Sequence, residues 1–140
     1  MSAVELPKGR RVLLVDDDAM VLHVVREMLA TDDHRVDTAL DGLEALQHIE
    51  RKTYDLIVTD IRMPGLDGMG LYRAIQQRRP ELLPRVLFIA TPRDDDATRA
   101  FLHETAAWYL AKPFGLEDLR RVVGQVLRGA ESGPAAAAAG

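Results

Sequence analysis

Cysteine is absent from the 140 residues, which removes disulfide frameworks, thiolate metal sites and cysteine nucleophiles in one step. A basic excess is absent too. Eighteen Lys and Arg stand against 22 Asp and Glu, for a formal net charge of -4, so no broad attraction to a nucleic-acid backbone is expected and direct nucleic-acid binding is not predicted. No apolar run approaches the length that spans a bilayer, and the first eleven residues lack the apolar stretch of a signal peptide. The expectation is a cytoplasmic protein without a membrane partner. Solenoid-type repeats are missing, and His23, His34, His48 and His103 lie scattered without metal-ligand spacing, which assigns them to surface or capping roles.

What remains is the composition of an ordinary globular protein, 47% hydrophobic and 29% charged. The length suits one domain with one core. Residues 1–10 are expected to form an N-terminal extension and 11–128 the folded domain. Residues 129–140, rich in Ala with Gly and Pro, offer no apolar face to pack and are expected to be a disordered tail.

Short β-branched runs alternate with longer stretches of helical periodicity. The runs predict strands over 12–16, 35–38, 56–60, 86–90 and 108–111, three of them continuously apolar, as strands covered on both faces should be. Val21, Val24, Val25, Met28 and Leu29 predict one buried helical stripe over 19–31. Leu43, Leu46 and Ile49 predict a second helix behind the cap Asp41, and Met69, Tyr72 and Ile75 a third behind the cap Asp67. A weaker fourth helix, over 96–105 with Ala97, Ala100 and Phe101, follows Asp94, Asp95 and Asp96, which are expected to cap it and face solvent. Leu116, Leu119, Val122, Val123, Val126 and Leu127 predict a strong fifth. Five strand–helix units imply an α/β doubly wound fold with a parallel five-stranded sheet.

In such a sheet ligands bind beyond the carboxyl ends of the strands, where strand order reverses. Reading those ends off the sequence collects Asp16, Asp17 and Asp18 after strand one, Asp60 after strand three, Ala90 and Thr91 after strand four, and Lys112 after strand five. Crowded carboxylates repel unless a cation neutralises them, and a hard divalent ion such as Mg2+ suits an all-oxygen set. A carboxylate so placed can attack phosphorus, with metal and lysine offsetting the charge that develops. Taken singly each piece has an ordinary reading: Asp18 as a helix cap, Asp60 as turn chemistry, Lys112 as a solvated amine. Their coincidence at matching strand ends favours the functional one.

Three stretches, VLLVDDD at 12–18, DLIVTDIRMPGLDG at 55–68 and WYLAKPF at 108–114, make the chain resemble a response-regulator receiver domain of two-component signalling over nearly its whole folded length. The resemblance implies the flavodoxin-like strand order 2-1-3-4-5. It implies that Asp60 accepts the phosphoryl group from a phosphohistidine, that Asp16, Asp17, Asp60 and the backbone carbonyl of Arg62 hold Mg2+, Asp16 mainly through water, and that Lys112 assists. It also implies a cis peptide between Lys112 and Pro113, and Tyr109 as one switch residue. The other switch position, a Ser or Thr hydroxyl in the family, falls on Ala90 by family spacing; the alternative is Thr91, one residue later. Trp108 should point opposite to Tyr109, either partly exposed or packed under a helix end.

The partners so implied are a sensor histidine kinase or phosphotransfer protein, and a downstream protein on the face made by helix four, strand five and helix five. A homodimer formed on phosphorylation is a further outcome. No effector follows the fifth helix, so output is expected through surface contacts, or the chain is a fragment of a larger hybrid kinase or regulator. Two alternatives stand beside this reading. One is a small phosphatase of the haloacid-dehalogenase type using Asp16 and Asp18 as its Asp-x-Asp, although Met20 departs from that family's pattern. The other is a degenerate receiver that only binds a partner, for which Ala90 argues.

Overall fold

Five short runs of branched aliphatic residues form the strands of one parallel sheet, as their propensity for a pleated, doubly covered surface dictates. The structure, a computed structural model, describes residues 8–91 and 95–129. Asp94, residues 1–7 of the expected extension and 130–140 of the expected tail lie outside the described residues. The strands are β1 (Arg11–Val15), β2 (Arg35–Ala39), β3 (Leu56–Asp60), β4 (Val86–Ala90) and β5 (Trp108–Ala111). Between and after them come α1 (Ala19–Ala30), α2 (Gly42–Arg51), α3 (Gly68–Arg78), α4 (Asp96–Thr105) and α5 (Leu116–Gly129), with a 3-10 helix at Pro80–Arg85 that the periodicity did not foretell. The sheet order is β2-β1-β3-β4-β5, all pairs parallel.

Alternation along each strand divides the core in two. Leu13, Val15, Ile57, Val86 and Phe88 face α2, α3 and α4, while Val12, Leu14, Leu56, Val58, Leu87 and Ile89 face α1 and α5. Each such side chain, once fully buried, contributes roughly 1.5–3 kcal/mol relative to exposure.

The helices bury much of their expected faces, with some shifted at the margins. On α1 the buried residues are Leu22, Val25 and Leu29, and Val24 is 43% exposed. Its apolar residues span a wide arc, and the sheet covers only the half centred on Leu22. On α2, Gly42, Ala45, Leu46 and Ile49 are buried and Leu43 points outward. On α3, Gly68, Leu71 and Ile75 are buried, with Met69 and Tyr72 only lodged against the core edge. On α4 the expected Phe101 is buried, joined by Thr98, while the expected Ala97 and Ala100 are exposed. On α5, Leu116 is exposed and Leu127 partly so, while Leu119, Val122, Val123 and Val126 carry the packing. Periodicity found every helix, and on α2 and α3 the small residues Gly42, Ala45 and Gly68 took the closest approach that bulkier neighbours could not.

The opposite end of the molecule is stitched by polar groups. Asp32, buried at the end of α1, accepts from Arg120 Nε at 2.9 Å and Nη2 at 3.0 Å, which ties α1 to α5. His34 is buried, and its Nδ1 accepts the Arg10 backbone N–H at 3.1 Å. Among the described residues no helix is long and apolar enough to cross a membrane.

Candidate functional site

At the carboxyl edge of the sheet, β1 and β3 are neighbours while their following helices leave toward opposite faces, so the loops after Val15 and Asp60 diverge and open a crevice. Asp16 follows β1 directly, and its backbone N–H donates to the Ala39 carbonyl at 3.1 Å. It is 3% exposed. Its Oδ1 accepts the Asp18 N–H at 2.9 Å, which curls the chain and turns Asp17 outward. Asp18 is the N-cap of α1, accepting from the Met20 N–H at 2.9 Å.

Asp60 ends β3, half-buried, with Oδ1 accepting the Ile61 N–H at 2.8 Å. One carboxylate oxygen from each of Asp16, Asp17 and Asp60 lies within 4.8 Å of the others. This is the convergence expected from the strand ends, with Asp18 left out because its carboxylate is committed to the helix. The Asp-x-Asp reading of the phosphatase alternative thus has its second carboxylate at the helix cap and outside the cluster.

The electrostatics are those of acids crowded away from water. Burial, opposed by the hydrogen bond from Asp18 and reinforced by the charge of Asp60, pushes the Asp16 carboxyl up to about 6. Burial likewise raises Asp60, against the lowering effect of the Ile61 amide and of Lys112. Lys112 acts on both carboxylates as a positive charge. Its backbone N–H donates to the Ala90 carbonyl at 2.8 Å, locking the ends of β5 and β4 together. The Lys112–Pro113 peptide is cis.

The loop after Asp60 is shaped by its own residues. Gly65 takes a φ of 74°, a left-handed conformation that glycine adopts without cost, directly after Pro64. Asp67 then caps α3 through the Gly70 N–H at 2.8 Å. Gly68 donates to the Ile61 carbonyl at 2.8 Å, and a Cβ there would collide with the Asp60 carbonyl oxygen and stand 2.9 Å from Ile61 Cα. The helix thus presses its first turn against the end of β3.

Register puts Asp60 opposite Ile89 and Ala90 opposite Ala111. Ala90 is therefore the last ladder residue of β4, one step past Asp60, and Thr91 lies just outside the strand. Tyr109 is half-buried against the α3/α4 core. Trp108 points the other way and is 3% exposed, so of its two expected placements the structure takes the packed one, beside Gly129 at the end of α5.

Two features escaped the sequence. Thr59 is fully buried and its hydroxyl donates to the Asp60 carbonyl at 2.8 Å, a role signalled only by a hydroxyl residue inside an apolar strand. Arg62, in the loop after β3, pairs with Asp95, the N-cap of α4, at 3.5 Å; no sequence pattern links residues of those two loops.

The model of the response regulator receiver domain matches residues 12–124. Among curated proteins, the chain is 37% identical over 119 residues to the response regulator MprA of Mycobacterium leprae, covering 84% of this chain and 51% of that protein. It is 37% identical over 107 residues to the DNA-binding transcriptional regulator NtrC of Escherichia coli K12, covering 76% of this chain and 22% of that one. The chain thus spans about half the length of the first of these relatives and about a fifth of the second. Among solved structures, the receiver domain of the sensor histidine kinase PA1611 from Pseudomonas aeruginosa PAO1, with a magnesium ion coordinated in its active-site cleft, superposes with a TM-score of 0.77 at 29% identity, covering 86% of this chain and 98% of that one. The chemotaxis protein CheY4 of Vibrio cholerae gives 0.75 at 28% identity, covering 84% and 98%. With the fold, the strand order and the acidic crevice in agreement, this chain belongs to the response regulator receiver domain family.

Proposed function

We propose that the chain is a phosphorylation-driven signalling module whose acceptor is Asp60, and the observation that carries this is the meeting of Asp16, Asp17 and Asp60 within 4.8 Å under the charge of Lys112. The residues fit a hard divalent cation. All three donors are carboxylate oxygens, two of them raised in pKa by burial, so the crowded anions lack compensation that Mg2+ would supply. Asp17 and Asp60 would ligate it together with the Arg62 carbonyl, and Asp16 would act through water. When bound, the ion neutralises the carboxylates and draws charge from phosphoryl oxygens.

In the transfer itself, one Asp60 oxygen forms a bond to phosphorus as the donor's P–N bond breaks, and that bond's electron pair leaves with the imidazole. Thr59 and the Ile61 amide hold the Asp60 main chain and side chain in place. Lys112 stabilises the added negative charge. The partners are a sensor histidine kinase or phosphotransfer protein as donor in the cytoplasm, and a downstream protein on the α4, β5 and α5 face. Ala90 at the end of β4 supplies no hydroxyl to the phosphoryl group, which leaves Thr91 and Tyr109 as the remaining switch positions.

With Mg2+ and acetyl phosphate the intact mass should rise by one phosphoryl group, and Asp60→Asn should abolish the rise. An unaltered protein that gains no mass under these conditions sinks the reading. Turnover of p-nitrophenyl phosphate that depends on Asp16 would instead restore a phosphatase.

A further inference from the structure

Arg62 follows Asp60 by two residues, just past the end of β3, so the root of its side chain stands close to the acceptor. Its guanidinium nevertheless reaches the other way, to within 3.5 Å of Asp95 Oδ2. Asp95 is doubly engaged. Its Oδ1 accepts the Thr98 N–H at 2.9 Å as the N-cap of α4, and its Oδ2 holds Arg62. An open groove of about 460 Å³, lined by Arg62, Asp67, Asp95 and Thr98 among others, lies between the two loops.

Of the helix, only Thr98 and Phe101 are buried, so it is held by few packing contacts and its end contacts weigh more. Meanwhile the last residue of β4, Ala90, carries no hydroxyl that could report a phosphoryl group.

We propose that Arg62 is a charge lever with two seats: it pairs with Asp95 while Asp60 is unmodified, and moves to the phosphoryl oxygens when Asp60 is phosphorylated, uncoupling α4 from the loop after β3. The inference rests on the receiver reading of Asp60 and adds its route of output. A phosphoryl group carries about -1.5 to -2 charge at neutral pH and three acceptor oxygens, against one charge on Asp95. A guanidinium engages such an anion through two parallel N–H donors. The two seats exclude each other because both are reached by one side chain.

The test is beryllofluoride, a phosphoryl mimic, titrated calorimetrically with Mg2+ into the unaltered protein, Arg62→Gln, Asp95→Asn and the double variant. Asn still caps a helix, so Asp95→Asn removes the ion pair and keeps the cap. Losing an exposed competing pair should tighten binding about 1.5- to fivefold in Asp95→Asn. Arg62→Gln should weaken it, and in that background Asp95→Asn should change nothing. Amide hydrogen exchange in the first turn of α4 should speed up on loading in the unaltered protein and be already fast in Arg62→Gln. If Asp95→Asn binds as the unaltered protein does, or shifts affinity equally with and without Arg62, the lever is wrong although the mass gain with acetyl phosphate stands. If that mass gain itself fails, the receiver reading falls and the lever with it.

Discussion

His34 shows how one buried side chain couples this fold to pH. Its Nδ1 must be unprotonated to accept the Arg10 N–H, and burial, only partly offset by the charge of Asp32, holds its pKa below the ordinary 6.5. The unfolded chain therefore takes up the proton first. Stability from this residue is fully present above pH 6.5 and declines as pH falls from there toward the folded-state value. Asp16 works in the opposite sense, since its raised pKa makes the fold bind a proton more readily as pH drops through about 6. The two effects are separable by comparison: from pH 7.5 to 5.5 the urea midpoint of the unaltered protein should fall relative to that of His34→Asn, whose amide oxygen can accept the same bond at any pH. Parallel pH curves for the two proteins would remove His34 as the cause.

At the scale of elements, glycines at two helix starts let the loops close over the site. A Cβ at Gly42 would run into the Leu66 main chain, and one at Gly68 into that of Asp60, so α2 and α3 both brace the loop that carries Arg62. Gly68→Ala should cost about 1–3 kcal/mol in chemical denaturation, the range for overpacking a site without slack. It should also weaken Mg2+ binding, because the end of β3 must move to relieve the clash. Gly115→Ala is the control. A Cβ there would meet nothing nearer than Asp118 Oδ2 at 3.9 Å, and both stability and metal affinity should stay close to those of the unaltered protein.

For the molecule as a whole, one sheet serves two hydrophobic layers, since neighbouring residues of the same strand feed opposite faces. Neither layer can dissolve while the other stays intact, and the Asp32–Arg120 pair joins the first helix to the last. Unfolding should therefore be a single cooperative transition. Trp108, the one tryptophan, is buried in the α1/α5 layer, so its fluorescence reports that layer while far-UV circular dichroism reports all helices. The two urea curves should coincide, and a separate Trp108 transition would show that α5 detaches independently.

Strand positions, helix existence and the strand-end carboxylates were readable from the chain alone. Branched aliphatic runs have few alternatives to a buried parallel sheet, and strand ends in that sheet have one place to meet; Val86–Ala90 and Trp108–Ala111 stand where the runs predicted them. Where the buried arc of α1 and of α2 is centred was decided only in three dimensions. Val24 and Leu43 are as apolar as Val25 and Leu46, and which side reaches the sheet depends on how closely two backbones approach. The same holds for Trp108 packing beside Gly129 and for Arg62 finding Asp95. Local sequence sets what each segment can do within a few residues, whereas contacts between loops more than thirty residues apart exist only after the chain has paid the entropy of closing them.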